Sequence, residues 1–502
     1  MHDNERKGEK GKKEKIPVDK GGAALYDWHR TFFLKLLTIF SEIPSMLIHH
    51  HHIHHSASSV RMSEGAIGGQ IIRFAVPLFI GNLFQQLYST VDALIVGNML
   101  GNTALAAVSS VGSLVFMLIG FVEGVFIGAG VAVSRYFGAG NRQKLSETVH
   151  TDLAFAFLAG TVLTLVGTVF SDDILRLMGT PEEIFPQAAV YLRIYFSGAI
   201  ATALYNCCRG IMQAVGDSHH PLYYLIFSSV INTVLDVVFI AVFHGDVGSA
   251  ALATVISQSV SALLCITRLL RTQEEHRVTL SKIRIVPPVF REIIHYGLPS
   301  GFQNSAIALA NVLVQSNINA FGTMAVAGCG AYTKVEGFAF LPISSFVMAL
   351  TTFIGQNLGA GKFDRAKRGA RFGLLCAVSV AELIGILISL TMPLLIEAFT
   401  TEPEAIAYGV LKARTCAPFF CFLAATHCFA GVLRGAGKSI YPMACFLSVW
   451  GVGRVLYLTF LVPVFPNITT VNLVYPITWM ITTCMLFVYY KRADWVHGFE
   501  KA

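Results

Sequence analysis

Two aspartates in strongly apolar sequence are the residues best suited to chemistry. Asp92 lies in 'QQLYSTVDALIVGNMLG', and Asp236 lies in 'INTVLDVVFI'. Asn232 precedes Asp236 by one helical turn, so the two share a helix face. Thr254, in 'GSAALATVISQ', adds a hydroxyl group. Carboxylates inside apolar segments are energetically costly and usually functional, so these four residues form the first candidate site.

The four side chains predict a binding site for a small cation. Carboxylate, amide and hydroxyl oxygens are the hard ligands that such ions prefer. Two neighbouring buried carboxylates cannot both ionise cheaply, so one is expected to hold a proton. The same oxygens therefore suit H⁺ or Na⁺, and the residue types do not choose between them. The alternative interpretation is structural, with each polar group capping a kinked helix through hydrogen bonds.

Other polar residues in apolar sequence are weaker candidates. We expect Gln85, Tyr88 and Asn206 to line a substrate cavity, with interhelical hydrogen bonding as the alternative. Glu336, in a later apolar stretch, is a further cavity candidate. The glycines of 'GAGVAVSRYFGAGN' and 'GQNLGAGK' lack phosphate-loop spacing, and we expect them to allow close helix packing. The sequence shows no Ser-His-Asp or metal-hydrolase constellation. We therefore expect no enzyme, no catalytic residue, no metal site and no cofactor beyond a coupling ion.

The composition predicts that these residues are held by membrane-spanning helices. Hydrophobic residues make up 54% of the 502 residues and charged residues 13%, whereas a soluble domain has about 25% charged residues. Apolar runs of roughly 20 residues are long enough to cross a bilayer as helices. We predict an all-α polytopic membrane protein with twelve transmembrane helices, near 71–97, 104–131, 150–170, 187–209, 221–243, 248–268, 294–320, 328–353, 371–395, 408–431, 440–463 and 471–490.

The chain contains an internal repeat. Pro77 and Asn82 recur 222 residues later as Pro299 and Asn304, and a set of small residues recurs at an offset of 221. We therefore predict two six-helix lobes, inserted in the same orientation and related by a pseudo-twofold axis along the membrane normal. The two copies differ at the candidate site. Where the first has Asp92, Asn232, Asp236 and Thr254, the second has Val314, Gly453, Tyr457 and Tyr475.

Charge placement predicts the orientation in the membrane. Loops after even-numbered helices are rich in cations such as Arg142, Arg277 and Arg368, whereas loops after odd-numbered helices contain only Arg176. The positive-inside rule then places both termini and the even-numbered loops in the cytoplasm, in a multi-pass protein of the plasma (inner) membrane. The net charge of +7 reflects this topology. Because no nucleic-acid-binding motif is present, we expect no nucleic-acid partner.

The sequence outside the repeats is predicted to form an appendage, a linker and a tail. Residues 1–61 are expected to be largely disordered, with an interfacial helix and a histidine tract that either binds transition metals or is low-complexity sequence without a role. Met62 opens a stretch typical of a natural start. The predicted order is appendage 1–61, N-terminal lobe 62–268, cytoplasmic linker 269–293, C-terminal lobe 294–490 and cytoplasmic tail 491–502.

Over about residues 65–490 the chain resembles the multidrug and toxic compound extrusion (MATE) family, and most of all its DinF-like bacterial branch. The resemblance rests on 'FAVPLFIGNLFQQLYSTVDALIVGNMLG', on 'INTVLDVVFI' and on the glycine-rich ends of predicted helices 2 and 8. The family implies a twelve-helix, two-lobed, V-shaped transporter that exports organic cations or other amphipathic drugs by antiport against H⁺ or Na⁺. It also implies a bend of the first helix at Pro77 and a cation site at Asp92, Asn232, Asp236 and Thr254.

Two other functions remain open at this point. A lipid-linked oligosaccharide flippase of the same superfamily shares the two-lobed core, but usually has extra helices or several cationic residues lining its cavity. A passive membrane channel belongs to a different class, and buried aspartates in a duplicated chain disfavour it. We expect a drug-like small molecule and the lipid bilayer as partners, and a monomeric protein.

Overall fold

The computed structural model describes residues 61–497, and helices make up almost all of that range. No β-strand occurs among these residues. Long apolar segments form helices because a helix satisfies its own backbone hydrogen bonds. The predicted all-α class is confirmed. Residues 1–60, with the predicted interfacial helix and histidine tract, lie outside the described residues, as does the end of the predicted tail from residue 498.

Twelve long helices follow one another in the described chain, as predicted. Several extend past the predicted apolar runs at the ends that face the even-numbered loops, where polar turns continue the helix. Their bounds are α1 Ile67–Leu100, α2 Asn102–Gly138, α3 Arg142–Val169, α4 Phe185–Ser197 with Ala199–Ala214, α5 His219–Val242, α6 Val247–Arg271, α7 Pro287–Asn319, α8 Thr323–Gly359, α9 Phe363–Glu397, α10 Pro403–Gly435, α11 Ile440–Val464 and α12 Ile468–Arg492.

The helices differ in how well they suit a bilayer. Within residues 61–497, ten are long and apolar enough to cross a membrane. The two pieces of α4, bent by 49°, make an eleventh if they form one span. The remaining helix, α7, is less apolar because amides such as Gln303 and Asn304 interrupt its apolar sequence. Its first turns also contain Arg291, Glu292 and His295. This part of α7 packs against α2, where Glu292 pairs with Arg135 at 2.9 Å, whereas Arg291 and His295 are exposed.

The first helix of the chain contacts the hydrophobic cores of both lobes. Ile71 and Phe74, near the start of α1, belong to the same buried cluster as Phe353 of α8. Ile95 and Val96, near its end, belong to a cluster formed by helices of the first lobe. The change occurs around Gly81, which lies against α5. α1 therefore begins on the second lobe and ends on the first.

The first helix of the second repeat makes the reciprocal crossing. Val289 and Ile293, near the start of α7, cluster with Ala129 of α2, in the first lobe. Val314 and Ile318, near its end, pack in a core of the second lobe. The two repeats thus exchange the first halves of their first helices. The predicted lobes, residues 62–268 and 294–490, stay predictions. The first helix of each range packs partly against the other range.

Glycines allow the lobes to approach closely along the crossing of α2 and α7. Gly124 lies against Gly301, and Gly128 lies against Gly297. A Cβ atom on any of the four would overlap atoms of the facing helix. Larger side chains would therefore force these two helices, and with them the lobes, apart.

Hydrogen bonds join the lobes at the ends that face the even-numbered loops. Nε2 of Gln356, in α8, donates to the carbonyl oxygen of Ala214, in α4, at 2.8 Å. The N–H of Met62 donates to Oε1 of the same glutamine at 2.8 Å. Asn357 and Arg365 donate to the Met62 carbonyl oxygen. The lobes are therefore in contact and hydrogen-bonded at this end.

Candidate cation-coupling site

The structure brings the two predicted aspartates together. α1 places Asp92 about two turns before its end at Leu100. α5 places Asp236 just before a π-helical segment, Val238–Val242, of the kind that often occurs at functional sites. Asp236 is fully buried, and Asp92 is partly exposed. Their carboxyl groups lie within hydrogen-bonding reach of each other when one is protonated.

Asn232 and Thr254 complete the predicted set of four. In the amide orientation that satisfies both of its neighbours, Nδ2 of Asn232 donates to Oδ2 of Asp236 at 2.8 Å. Its amide oxygen accepts from the backbone N–H of Thr254 at 3.2 Å. The Thr254 hydroxyl donates to the carbonyl oxygen of Ala250 at 3.1 Å. Asn232 therefore connects α5 to α6 and fixes one oxygen of Asp236.

One buried oxygen of each aspartate has no hydrogen-bond partner among the described residues. Oδ1 of Asp92 and Oδ1 of Asp236 are buried, and neither accepts a hydrogen bond from any described residue. Unpaired buried acceptors are rare because each costs about 1–3 kcal/mol, and more if charged. A proton shared by the pair, or a cation bound between them, would remove this cost. The arrangement therefore suits a site that binds a proton or a small cation.

Two tyrosines border the carboxylates. Tyr88, one turn before Asp92 on α1, lies within hydrogen-bonding reach of the Thr254 side chain. Tyr191, on the first piece of α4, is buried and interacts electrostatically with both aspartates. Tyr88 was among the predicted cavity residues, and the structure places it at the predicted cation site. Tyr191 is a residue that the sequence reasoning missed, since a tyrosine in an apolar segment carries no charge to mark it.

The other predicted cavity residues do not join this group. Gln85 is half-buried, about two turns before Asp92 on α1. Asn206 is buried and lines a separate cavity between the lobes, together with Glu123, Arg209 and Gln213 from the first lobe and Thr351 and Thr352 from the second. Asn206 is thus a cavity residue, but at the lobe interface.

Glu336 and Pro77 also lie apart from the aspartate pair. Glu336 is a partly exposed residue of α8, and the charged groups that act on it are Lys412 and Arg454 of the second lobe. Pro77 is buried inside α1, one turn before Gly81, where the helix passes from one lobe to the other. The predicted hinge therefore lies at the crossing point of α1.

Comparison with known proteins gives the same family for both halves of the chain. The MatE family model matches residues 77–238 and again residues 299–458. The two matches follow the internal repeat. Together they cover more than half of the chain. Asp92 and Asp236 both lie in the first match.

Relatives and solved structures extend over most of the chain. The "Probable multidrug resistance protein YoeA" of Bacillus subtilis is 30% identical over 404 residues, which are 78% of this chain and 86% of that protein. The "Probable multidrug resistance protein NorM" of Thermotoga maritima is 27% identical over 393 residues, or 76% and 83% of the two chains. A solved structure described as the outward-facing conformation of a multidrug resistance MATE family transporter of the MOP superfamily has a TM-score of 0.82. It is 22% identical and covers 87% of this chain and 98% of its own, a likeness of fold.

Proposed function

The chain belongs to the MatE family, and on that basis we propose that it is a secondary active efflux transporter that exchanges H⁺ or Na⁺ for an exported compound. Organic cations and other amphipathic drugs are the proposed substrates. Two findings support this class of substrate: the relatives reported above are named for multidrug resistance, and the first lobe contains buried carboxylates that attract cations.

The observation that supports coupling most directly is the aspartate pair. Asp92 and Asp236 are close together, and each keeps one buried oxygen without a partner among residues 61–497. Neither aspartate is repeated in the second lobe, where Val314 and Tyr457 take their places. Exchange requires an ion-binding site whose occupancy alternates with that of the substrate site, and one such site in one lobe is sufficient.

The proposed cycle links ion binding to the position of α1. A cation can drive transport if its affinity differs between the two states of the protein. Binding of H⁺ or Na⁺ neutralises the pair and changes the contact between α1 and α5. Pro77 removes one backbone hydrogen bond from α1 and so weakens the helix where it crosses between the lobes. α1 then bends, the drug loses its site, and the lobes rock against each other.

Orientation and assembly are part of the proposal. Cations such as Arg142, Arg277 and Arg368 lie outside the apolar parts of the helices, on the side of the even-numbered loops. The positive-inside rule supports a plasma-membrane protein with this side in the cytoplasm. In that orientation the hydrogen-bonded lobe ends face the cytoplasm. The protein is proposed to work as a monomer with the bilayer and a drug-like molecule as partners.

Proteoliposomes with separately imposed gradients test the proposal. The purified protein is reconstituted, a fluorescent organic cation is added, and a pH gradient or a Na⁺ gradient is applied alone. Exchange predicts uphill movement of the dye with one of the two gradients and none without a gradient. A channel would equilibrate the dye without a gradient, and a lipid-linked oligosaccharide flippase would leave it in place. Either result would contradict the proposal.

A further inference from the structure

The second lobe buries two cations in its interior. Lys412, on α10, is 2% exposed, and Arg454, on α11, is 0% exposed. Both lie over the ring of Tyr475, with Nζ of Lys412 at 5.3 Å and Cζ of Arg454 at 4.9 Å from its centre. Arg454 also lies 4.3 Å from the ring centre of Trp450. The cluster is therefore a basic site with aromatic walls.

The cluster has one more positive charge than negative charge. Glu336 is the one carboxylate that acts on either cation within the described part of the chain. Two cations and one carboxylate leave a net charge of +1. A charge buried at membrane depth is costly unless it is paired, and aromatic rings compensate it in part. A bound anion would neutralise the remaining charge.

Several polar atoms in the same place have no partner among residues 61–497. Nη2 of Arg454 is buried and donates no hydrogen bond, and both side-chain polar atoms of Asn472 are buried and unpaired. The Tyr332 hydroxyl, beside Lys412, is also buried without a partner. Nε of Arg454 donates to the Thr478 hydroxyl oxygen at 3.2 Å, and Nη1 donates to Oδ1 of Asn311 at 3.0 Å. Asn311 is exposed, so the guanidinium lies one side chain away from the outside of the protein.

This cluster occupies the place in the second repeat that the aspartate pair occupies in the first. Tyr475 is the counterpart of Thr254, and Lys412 is the counterpart of Tyr191, the tyrosine beside the two aspartates. Both clusters adjoin π-helical segments, Val238–Val242 in α5 and Leu447–Gly453 in α11. The corresponding regions of the two lobes thus differ in charge, acidic in the first and basic in the second, although the charged residues themselves stand at different repeat positions.

We propose that the second lobe binds an oxyanion, the carboxylate or phosphate group of an amphipathic molecule, at Lys412 and Arg454. The free Nη2 of Arg454 and the Lys412 ammonium donate to the anion, and the aromatic rings contact its apolar part. The anion belongs either to a solute that the protein transports or to an anionic lipid of the bilayer. The inference adds to the substrate chemistry of the proposed transporter and rests on that function.

Equilibrium binding tests the site without requiring transport. The full chain is placed in phosphatidylcholine nanodiscs, and energy transfer from its tryptophans to pyrene is measured during titration with pyrenebutyrate. Two of the four tryptophans lie at the cluster, since Trp450 adjoins Arg454 and Trp479 adjoins Tyr475. The neutral pyrenebutyramide has the same apolar part and serves as the reference ligand. We expect the carboxylate to bind at least about 10-fold more tightly than the amide.

Three variants and a matched control decide whether the preference arises at this site. Lys412→Gln and Arg454→Gln should each abolish the preference for the carboxylate. Glu336→Gln should strengthen the preference for the carboxylate, because the substitution removes a negative charge that competes with the ligand. If the first two variants do not fold, Glu336→Gln still decides the test. Lys334→Gln removes an exposed cation from the same helix as Glu336 and should leave the preference unchanged.

Equal affinity for the carboxylate and the amide would overturn the proposal. So would a preference that survives both Lys412→Gln and Arg454→Gln, or one that Glu336→Gln does not strengthen. Adding phosphatidylglycerol to the nanodiscs then identifies the source of the anion. Loss of pyrenebutyrate binding assigns the site to an anionic lipid, and unchanged binding assigns it to a solute. A failure of gradient-driven export in proteoliposomes would contradict the proposed function but would not alter this binding result.

Discussion

The backbone N–H of Met62 donates a 2.8 Å hydrogen bond to Oε1 of Gln356. The Nε2 atom of that glutamine donates in turn to the carbonyl oxygen of Ala214, again at 2.8 Å. One buried side chain thus connects the segment before α1, the first lobe and the second lobe. The proposed export cycle requires this end of the protein to open, and in that cycle these bonds break and re-form.

Replacing this glutamine should favour opening. Gln356→Met keeps the side-chain volume but removes both hydrogen bonds, which together stabilise the closed end by about 1–3 kcal/mol. We expect faster hydrogen–deuterium exchange at the ends of α2 and α8 than in the wild type. Gln143→Met is the matched control, because Gln143 is exposed and contacts Glu147 on the same helix. Exchange rates equal to those of the control would show that Gln356 does not hold this end closed.

Neutralising either aspartate should uncouple transport. Asp92→Asn and Asp236→Asn preserve shape but remove the ionisable group, so gradient-driven export should be lost while the protein still inserts. Dye efflux in proteoliposomes measures the first effect, and the amount of protein in the membrane fraction checks the second. If both variants export at the wild-type rate, the coupling site lies elsewhere, and Glu336 becomes the next candidate.

Pro77→Ala should slow turnover more than it weakens substrate binding. Alanine restores the backbone N–H that proline lacks, so α1 becomes harder to bend where it crosses between the lobes. Turnover is measured in proteoliposomes and binding by fluorescence polarisation of the dye. Pro393→Ala, in α9, is the control for a proline elsewhere in a long helix. Unchanged turnover in Pro77→Ala would remove the hinge from the mechanism.

A protein that starts at Met62 should confer the same drug tolerance as the full chain. The bonds of Met62 to Gln356 and from Arg365 are retained, because its amine can donate and its carbonyl oxygen is present. The described contacts that are lost are those of Arg61. Its side chain pairs with Glu275 at 3.3 Å, a surface ion pair of the kind worth about 0–1 kcal/mol, and lies 5.7 Å from the centre of the Phe137 ring. Its carbonyl oxygen accepts a hydrogen bond from the Glu64 N–H. Growth of a drug-sensitive host measures tolerance, and a loss of tolerance with normal membrane insertion would refute this expectation.

His276, in the segment between α6 and α7, should make stability depend on pH. Burial lowers the pKa of this imidazole from its usual 6.5, and Arg268 acts in the same direction, against Glu274, Asp217 and Glu275. The folded protein favours the neutral form, so the unfolded chain binds more protons at acidic pH. The stabilisation is therefore complete above pH 6.5 and is lost as the pH falls through the lowered pKa of the folded state. His276→Gln should flatten the acidic side of a plot of Tm against pH, and an unchanged slope would contradict this.

The sequence was sufficient for the helices and for the aspartate pair. Hydropathy identifies a membrane helix because lipid requires an apolar surface along its whole length. The spacing between Asn232 and Asp236 placed both on one face, and the structure joins them by a hydrogen bond. The partner across the bundle, Asp92, was found because an ionisable group inside an apolar run is rare enough to be informative.

Other features depend on contacts that a single sequence does not encode locally. Lys412 escaped notice because the apolar run was predicted to start near 408, which left the lysine close to a helix end. The helix starts at Pro403, so Lys412 is more than two turns inside it. Tyr191 and the crossing of α1 between lobes follow from tertiary packing, and neither leaves a pattern in the residues themselves.

The exchanged first helices also limit how such a molecule can be divided. A single repeat expressed alone would keep the second half of its first helix in place but would leave the first half, with Ile71 and Phe74 or with Val289 and Ile293, without an apolar surface to cover it. Two separate copies could cover each other by trading these segments, as in a domain-swapped dimer. The present chain resembles such a dimer fused into one polypeptide, in which each half covers apolar residues of the other.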